Sequence, residues 1–414
     1  MKKVLLMTVG AVLTSLSAHA LSLEEARGMA HDNYPAIKQY RMIEQSRDFT
    51  LDNVAKGWLP KVSASAGAYG FTDILKTNAQ MGQMGIDMKN WLAGASVTVT
   101  QNVYDGGQMA AQRQVASAQS DVQQRQLDVS MYAVNERIDQ LFFGILLIDE
   151  KLKQNELLLN DLATSEETVR SMMKGGVANQ GDLDNILVEK LKCLQQGESL
   201  RASRKAYLRM LGVFVGKDLA ENEPMEKPKA IAAISEGLGK RPELSYYDSQ
   251  NLLLDAQRKQ MDSRLRPTVS LFGMGVVHTK VSDFLNSGML MGGVSVAWNI
   301  GALYTRKNDI RKLAVQRAMN ESQREMFLFQ NRLQNEETNG NIESLRKQIA
   351  QDEEIVRLRE CIRSKGDKKV RLGTESVNEL VRDIHAVSMA RAQKAQHEIE
   401  LLKEMYNQKY INNE

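Results

Sequence analysis

Apolar side chains in the middle of this chain keep a strict three-four register. Val134, Ile138, Leu141, Ile145, Ile148, Leu152, Leu159, Leu162, Val169 and Met173 lie on it, and only Asn155 and Glu166 interrupt it. A heptad seam of this kind imposes left-handed coiled-coil packing. No proline falls inside it, so the pattern predicts one helix from about Gln108 to Lys174. At the usual helical rise that helix is on the order of 100 Å long. A second pattern of the same kind runs from about Tyr304 to Arg371, with Ile342, Leu345, Ile349 and Val356 at matching positions. The rest of its seam is polar, including Arg359 and Arg363, and is expected to face a different, wet surface.

Each long pattern ends in a glycine-containing break and then resumes. The first break is KGGVANQGDLDNIL (174–187) and the second is RLGTESVNELVRDI (371–384). Glycine disfavours a helix interior by about 1 kcal/mol relative to alanine, so both breaks predict a reversal. Return helices are expected from about Asp182 to Leu211 and from Asn378 to Gln408. Four other segments alternate apolar with small or polar residues: 62–70, 93–102, 268–277 and 290–298. That period of two predicts half-buried strands. Their length suits tilted membrane strands and equally a soluble sandwich. Trp91 and Trp298 lie near strand ends, where an aromatic belongs at a membrane interface.

The pattern is written twice. Pro35 pairs with Pro242, Pro60 with Pro267, Val62 with Val269 and Ser63 with Ser270, all at one offset without a gap. VTVTQNV (97–103) then pairs with VSVAWNI (294–300), Gly176 with Gly373 and Leu183 with Leu380, at a shorter constant offset. A deletion in the second copy, between positions 63 and 97 of the first, accounts for the change. The expected division is a first repeat over 21–212 with its hairpin at 107–212, and a linker over 213–239. A second repeat follows over 240–414, with its hairpin at 303–409.

The N-terminus carries Lys2 and Lys3, an apolar run from Val4 to Leu16 and then Ala18-His19-Ala20. This is the form of a cleavable secretory signal over 1–20. No cysteine follows the apolar run, so a diacylglyceryl anchor is not expected. Past it, no apolar run is long enough for a spanning helix, so a membrane crossing requires a closed β-barrel. Four strands cannot close one, since the smallest have about eight. The strands therefore predict an oligomer: two copies supply eight strands, three supply twelve.

These features together resemble the TolC family of outer-membrane efflux proteins. The motifs are LSLEEARGMAHDNYPAI at 21–37, RPEL at 241–244, and LP or RP before the odd strands. VYDGG at 103–107 and the tips GGVANQGDL and LGTESVNEL complete the set. The resemblance covers essentially the whole mature chain. It implies a homotrimer with a twelve-stranded outer-membrane β-barrel continuous with a twelve-helix coiled-coil α-barrel across the periplasm. It implies that the tips dock a periplasmic adaptor and, through it, an inner-membrane transporter, and that the protein is a passive duct and not an enzyme. Gly176, Val177, Gly373 and Thr374 are the docking candidates; turn geometry alone also selects glycine at such positions. Some members carry paired acidic residues just after the second turn, narrowing the entrance. Here those positions are Glu379 and Arg382, with Asp182 equivalent to Glu379 in the first repeat. Arg382 breaks the acidic pattern and is free to pair with Glu379. Acidic residues also favour first helical turns for electrostatic reasons alone.

Composition narrows the function further. With 54 basic and 51 acidic residues the net charge is +3, which gives no electrostatic case for nucleic acid. The five histidines form no metal-ligand spacing, and GVSVA (293–297) lacks the final glycine of a nucleophile elbow. FGMGVV is no dinucleotide fingerprint. No catalytic residue, cofactor or metal is expected, and the 21 methionines read as packing residues. Cys193 and Cys361 are either two separate thiols or one bridge. The competing functional reading is a periplasmic coiled-coil adaptor or structural spacer.

Overall fold

The computed structural model describes residues 20–70, 91–231, 241–278 and 288–413. The expected signal peptide up to residue 19, the connections 71–90 and 279–287 and the end of the linker lie outside these residues. The element order is α1 (Leu23–Asn33), α2 (Ile37–Ala55), β1 (Lys61–Gly70), β2 (Trp91–Tyr104), α3 (Gln108–Lys174) and α4 (Gln180–Val215). The second half follows with α5 (Pro242–Ser263), β3 (Thr268–His278), β4 (Gly288–Ala297), α6 (Ala302–Arg371) and α7 (Val377–Asn412). The protein is mostly helical with one small antiparallel sheet. Among the described residues no helix is long and apolar enough to cross a membrane.

The chain divides into two compact units that cut across the repeats. One comprises residues up to Ile37, Ser130–Arg241 and Leu328 onward; the other comprises Lys38–Val129 and Pro242–Phe327. Each therefore draws on both halves of the sequence.

The second unit holds the sheet, ordered β1-β2-β3-β4 with every neighbour antiparallel. Pro60 and Pro267 immediately precede or nearly precede β1 and β3, where a missing N–H costs no ladder bond. A register shift at Asn102/Tyr104 bends the end of β2. Among the described residues nothing pairs with the outer edges of β1 and β4.

The first unit holds the helical hairpins. One core cluster joins α1, α3, α4 and α7 through Leu23, Ile138, Phe142, Ile145, Leu208 and Leu402. A second cluster lies beside the turns and joins Leu162, Val169, Leu183, Ile186, Val370 and Ile384. The two polar breaks in the first seam are bonds across the hairpin. Asn155 Nδ2 donates to the Cys193 carbonyl at 3.0 Å, and the Cys193 thiol donates back to the Asn155 carbonyl at 3.3 Å. Glu166 accepts from Lys190 of α4 at 2.6 Å and from Arg170 at 2.7 Å.

One expectation needs correction here. Arg363 does not face water as the polar seam suggested. It is half-buried and grips Asp161 of α3 with two bonds of 2.7 and 2.8 Å. Of the two readings of the cysteines, the separate thiols hold: Cys193 is buried and Cys361 exposed, with no bridge. Burial pushes the Cys193 thiol up from its ordinary value.

Candidate functional site

The two turns share one construction. In the first, Gly176 is left-handed at φ 75°, Gly176 N–H donates to Met173 and Val177 N–H donates to Met172. In the second, Gly373 is left-handed at φ 71°, Gly373 N–H donates to Val370 and Thr374 N–H to Lys369. Both are Schellman motifs, in which a left-handed residue lets the last helical carbonyls find donors. The turns also touch each other: a Cβ on Gly373 would lie 3.5 Å from Val177 Cγ1. Asn185 and Asn378 hydrogen-bond at 2.9 Å, and His385 lies 3.0 Å from Glu189. The docking candidates Gly176, Val177, Gly373 and Thr374 thus form one exposed surface. Leu372, 78% exposed, belongs to it and was not singled out from the sequence.

Asp182 and Glu379 sit in the return helices as capping residues. Asp182 accepts from the Asn179 N–H at 3.0 Å while its own N–H donates to Asn179 Oδ1 at 3.1 Å. Glu379 accepts from the Ser376 N–H at 3.4 Å while its N–H donates to Ser376 Oγ at 3.3 Å. These reciprocal boxes start α4 at Gln180 and α7 at Val377, slightly earlier than the breaks suggested. The signal was present in the sequence as N-x-x-D and S-x-x-E. Arg382 is exposed, and among the described residues it forms no ion pair, with Glu379 or any other acid.

The sheet carries a second functional feature. Directly paired residues point to one face, so the register sorts the side chains. One face carries Val62, Ala64, Ala66 and Ala68 of β1 and Ala93, Ala95, Val97 and Val99 of β2. It continues through Leu271, Gly273, Gly275 and Val277 of β3 to Leu290, Val294 and Val296 of β4. Gln101 is its only polar member among the paired residues. The other face carries Ser63, Ser65, Ser96, Thr98, Thr100, Ser270 and Ser295 with Lys61 and Asn102, interspersed with Tyr69, Phe272, Met274, Val276, Met289 and Met291. Ser65 and Ser96 hydrogen-bond there at 2.8 Å. The apolar face is open: Leu290 is 89% exposed and Val296 67%. Trp91 opens β2 at one end of this face, and Trp298 follows β4 at the other.

A mostly helical chain with such a sheet has close counterparts among solved structures. No family model matches the chain, and no curated protein does. The outer-membrane channel OprN aligns with TM-score 0.69 and 14% identity over 94% of this chain and 89% of its own. CusC, solved for its transmembrane channel formation, gives 0.71 and 10% over 94% and 91%. The Neisseria gonorrhoeae MtrE outer-membrane channel, in its open state, gives 0.67 and 12% over 94% and 88%. The fold is that of the TolC-type outer-membrane channels. At this identity the likeness establishes the fold, and it spans both hairpins and the sheet. In the channel fold, then, the apolar sheet face and the paired turns are the two surfaces left to explain. Among the described residues, no group of three or more His, Cys, Asp and Glu is placed to hold a metal.

Proposed function

We propose that this chain is one third of an outer-membrane export duct in a Gram-negative bacterium. Three copies join β4 of one to β1 of the next, giving a twelve-stranded barrel, and their hairpins form a twelve-helix periplasmic tunnel. The observation that carries this reading is the sheet: one face apolar and exposed, the other rich in serine and threonine, both edges unpaired. Lipid covers the first face, the lumen wets the second, and neighbouring copies pair the edges. Unpaired edge groups in lipid cost several kcal/mol each, so the single chain is incomplete. The helices support the same assembly. Val315, Met319, Met326, Phe329 and Leu333 of α6 keep a three-four register yet are exposed in one chain.

The duct is passive, with no catalytic or cofactor chemistry of its own. An inner-membrane pump drives export through a periplasmic adaptor, which docks on Gly176, Val177, Gly373 and Thr374. Asp182, Glu379 and Arg382 line the periplasmic entrance as a mixed ring, since Arg382 offsets the acidic pair. The periplasmic adaptor or spacer reading has no use for an exposed apolar sheet face. Size measurement of the detergent-extracted particle tests the assembly: three chains are expected, and a monomer or dimer overturns it. Recovery of the protein in the soluble periplasmic fraction favours the spacer.

A further inference from the structure

At one end of the sheet the apolar face stops and a belt of cations begins. Lys61 opens β1, and Thr268 of β3 pairs with Ala297 of β4, so residues 56–61, 104–107, 262–268 and 298–307 gather at this end. Contacts join them. Trp298 Nε1 donates to the Leu265 carbonyl at 2.9 Å, Gln101 donates to the Trp58 carbonyl, and the Arg266 guanidinium lies 3.6 Å from a Cβ built on Gly107. These segments contain six cations, Lys56, Lys61, Arg264, Arg266, Arg306 and Lys307, against two acids. Neither acid balances the belt. Asp105 is buried and accepts from the N–H groups of Gly107 and Met109, while Asp262 is held by Arg306 at 3.0 Å. Lys56, Lys61, Arg264 and Arg266 are exposed and form no ion pair among the described residues. Exposed aromatic and aliphatic side chains are interleaved with them: Trp58, Leu59, Tyr104, Trp298 and Ile300.

Apolar surface that gives way to amphipathic aromatics and then to unbalanced cations matches the cross-section of a leaflet from acyl chain to headgroup. We infer that this belt selects anionic phospholipids from the leaflet on the helical side of the barrel. Arg264 and Arg266 hold the phosphates, and Trp58 and Trp298 sit at the ester level. The inference rests on the membrane reading above and adds lipid-class selectivity to it. Charge complementarity commits the belt to phospholipid: each cation near such a surface strengthens attraction to an anionic leaflet by about fivefold.

The three tryptophans provide the readout. With Trp91→Phe as background, only Trp58 and Trp298 fluoresce, both at the belt. The protein is reconstituted in bilayers containing brominated phosphatidylglycerol or brominated phosphatidylcholine, and quenching gives the relative binding constant of the two lipids. A preference for phosphatidylglycerol of about fivefold or more is expected. Addition of Arg264→Gln and Arg266→Gln should bring it near parity, while quenching by phosphatidylcholine stays at its starting strength and shows the variant still inserted. Equal quenching in the starting protein, or an unchanged preference in the variant, overturns the inference but leaves the membrane reading standing. Absence of quenching by either lipid overturns the membrane reading itself. Loss of the preference on adding millimolar inorganic phosphate at constant ionic strength marks a free-anion site and also overturns it.

Discussion

The two long helices occupy equivalent places in the duplicated chain, yet they are held in opposite ways. In α3 the inward residues are apolar, with Ile138, Phe142 and Ile145 fully covered. In α6 the inward residues are largely polar: Asn320, Asn331, Thr338 and Asp352 are all buried. Asn331 donates to the Ile411 carbonyl at 3.0 Å, Asn335 and Asn412 exchange bonds of 2.9 and 3.2 Å, and Asp352 meets His397 at 2.6 Å. Many apolar residues of α6 lie outside, as with Met319 at 59% exposure, while Ile342, Leu345 and Val370 are buried. Within one chain α3 is therefore fixed mainly by area, and α6 leans more on directional bonds. A helix that spends its apolar side chains outward is built for a neighbour. Polar contacts within the chain then set its rotation without competing for that surface.

The largest break in this contrast is Phe142→Ala. It should cost about 3–5 kcal/mol through a cavity in the main cluster, read as a lowered midpoint for loss of helical circular dichroism. Its counterpart Met319→Ser should leave the single chain's fold intact and instead weaken the particle, read as loss of the trimer band in mild detergent. Equal effects of both on the helical signal would erase the distinction. Next, Asn331→Ala leaves the buried Ile411 carbonyl without its donor and should cost about 1–3 kcal/mol. Asn335, bonded to both Asn331 and Asn412, is expected to couple non-additively with it in a double-mutant cycle. At the turns, Gly176→Ala and Gly373→Ala force a Cβ into a left-handed position, at about 1–2 kcal/mol each.

The smallest effect is a pH dependence. The Lys190 ammonium, and then Arg170, hold the Glu166 carboxyl below its ordinary value of 4.5. A group depressed in the folded state stabilises above its unfolded pKa, and that stability is lost as pH falls through the folded pKa. The hairpin should thus weaken on acidification below about 4.5. Glu166→Gln should flatten this part of a stability–pH profile, and an unchanged slope would rule out the contribution.

The sequence made the long elements plain because their signals are local and long. Helix α3 begins and ends at the residues its periodicity indicates, and the four strands lie within a few residues of their alternating segments. Caps were also written locally, in Asn179 with Asp182 and Ser376 with Glu379, but their polar residues read equally as an entrance ring. Partners distant along the chain were not legible. Arg363 meets Asp161 only because two hairpins lie side by side, and no periodicity encodes that encounter. The same holds for the sheet: alternation within each strand was visible, but the continuous apolar face needs the register of all four strands.

The unpaired edges of β1 and β4 also have a kinetic consequence. A newly exported chain presents an apolar face and two strand edges to water at once, the template on which sheets aggregate. In the proposed trimer, pairing joins β4 of one chain to β1 of another and must occur three times before the last edge disappears. Chains at low concentration therefore spend longer in this vulnerable state than chains arriving together. Survival before assembly, more than stability after it, sets the demand this sheet places on the cell's holding factors.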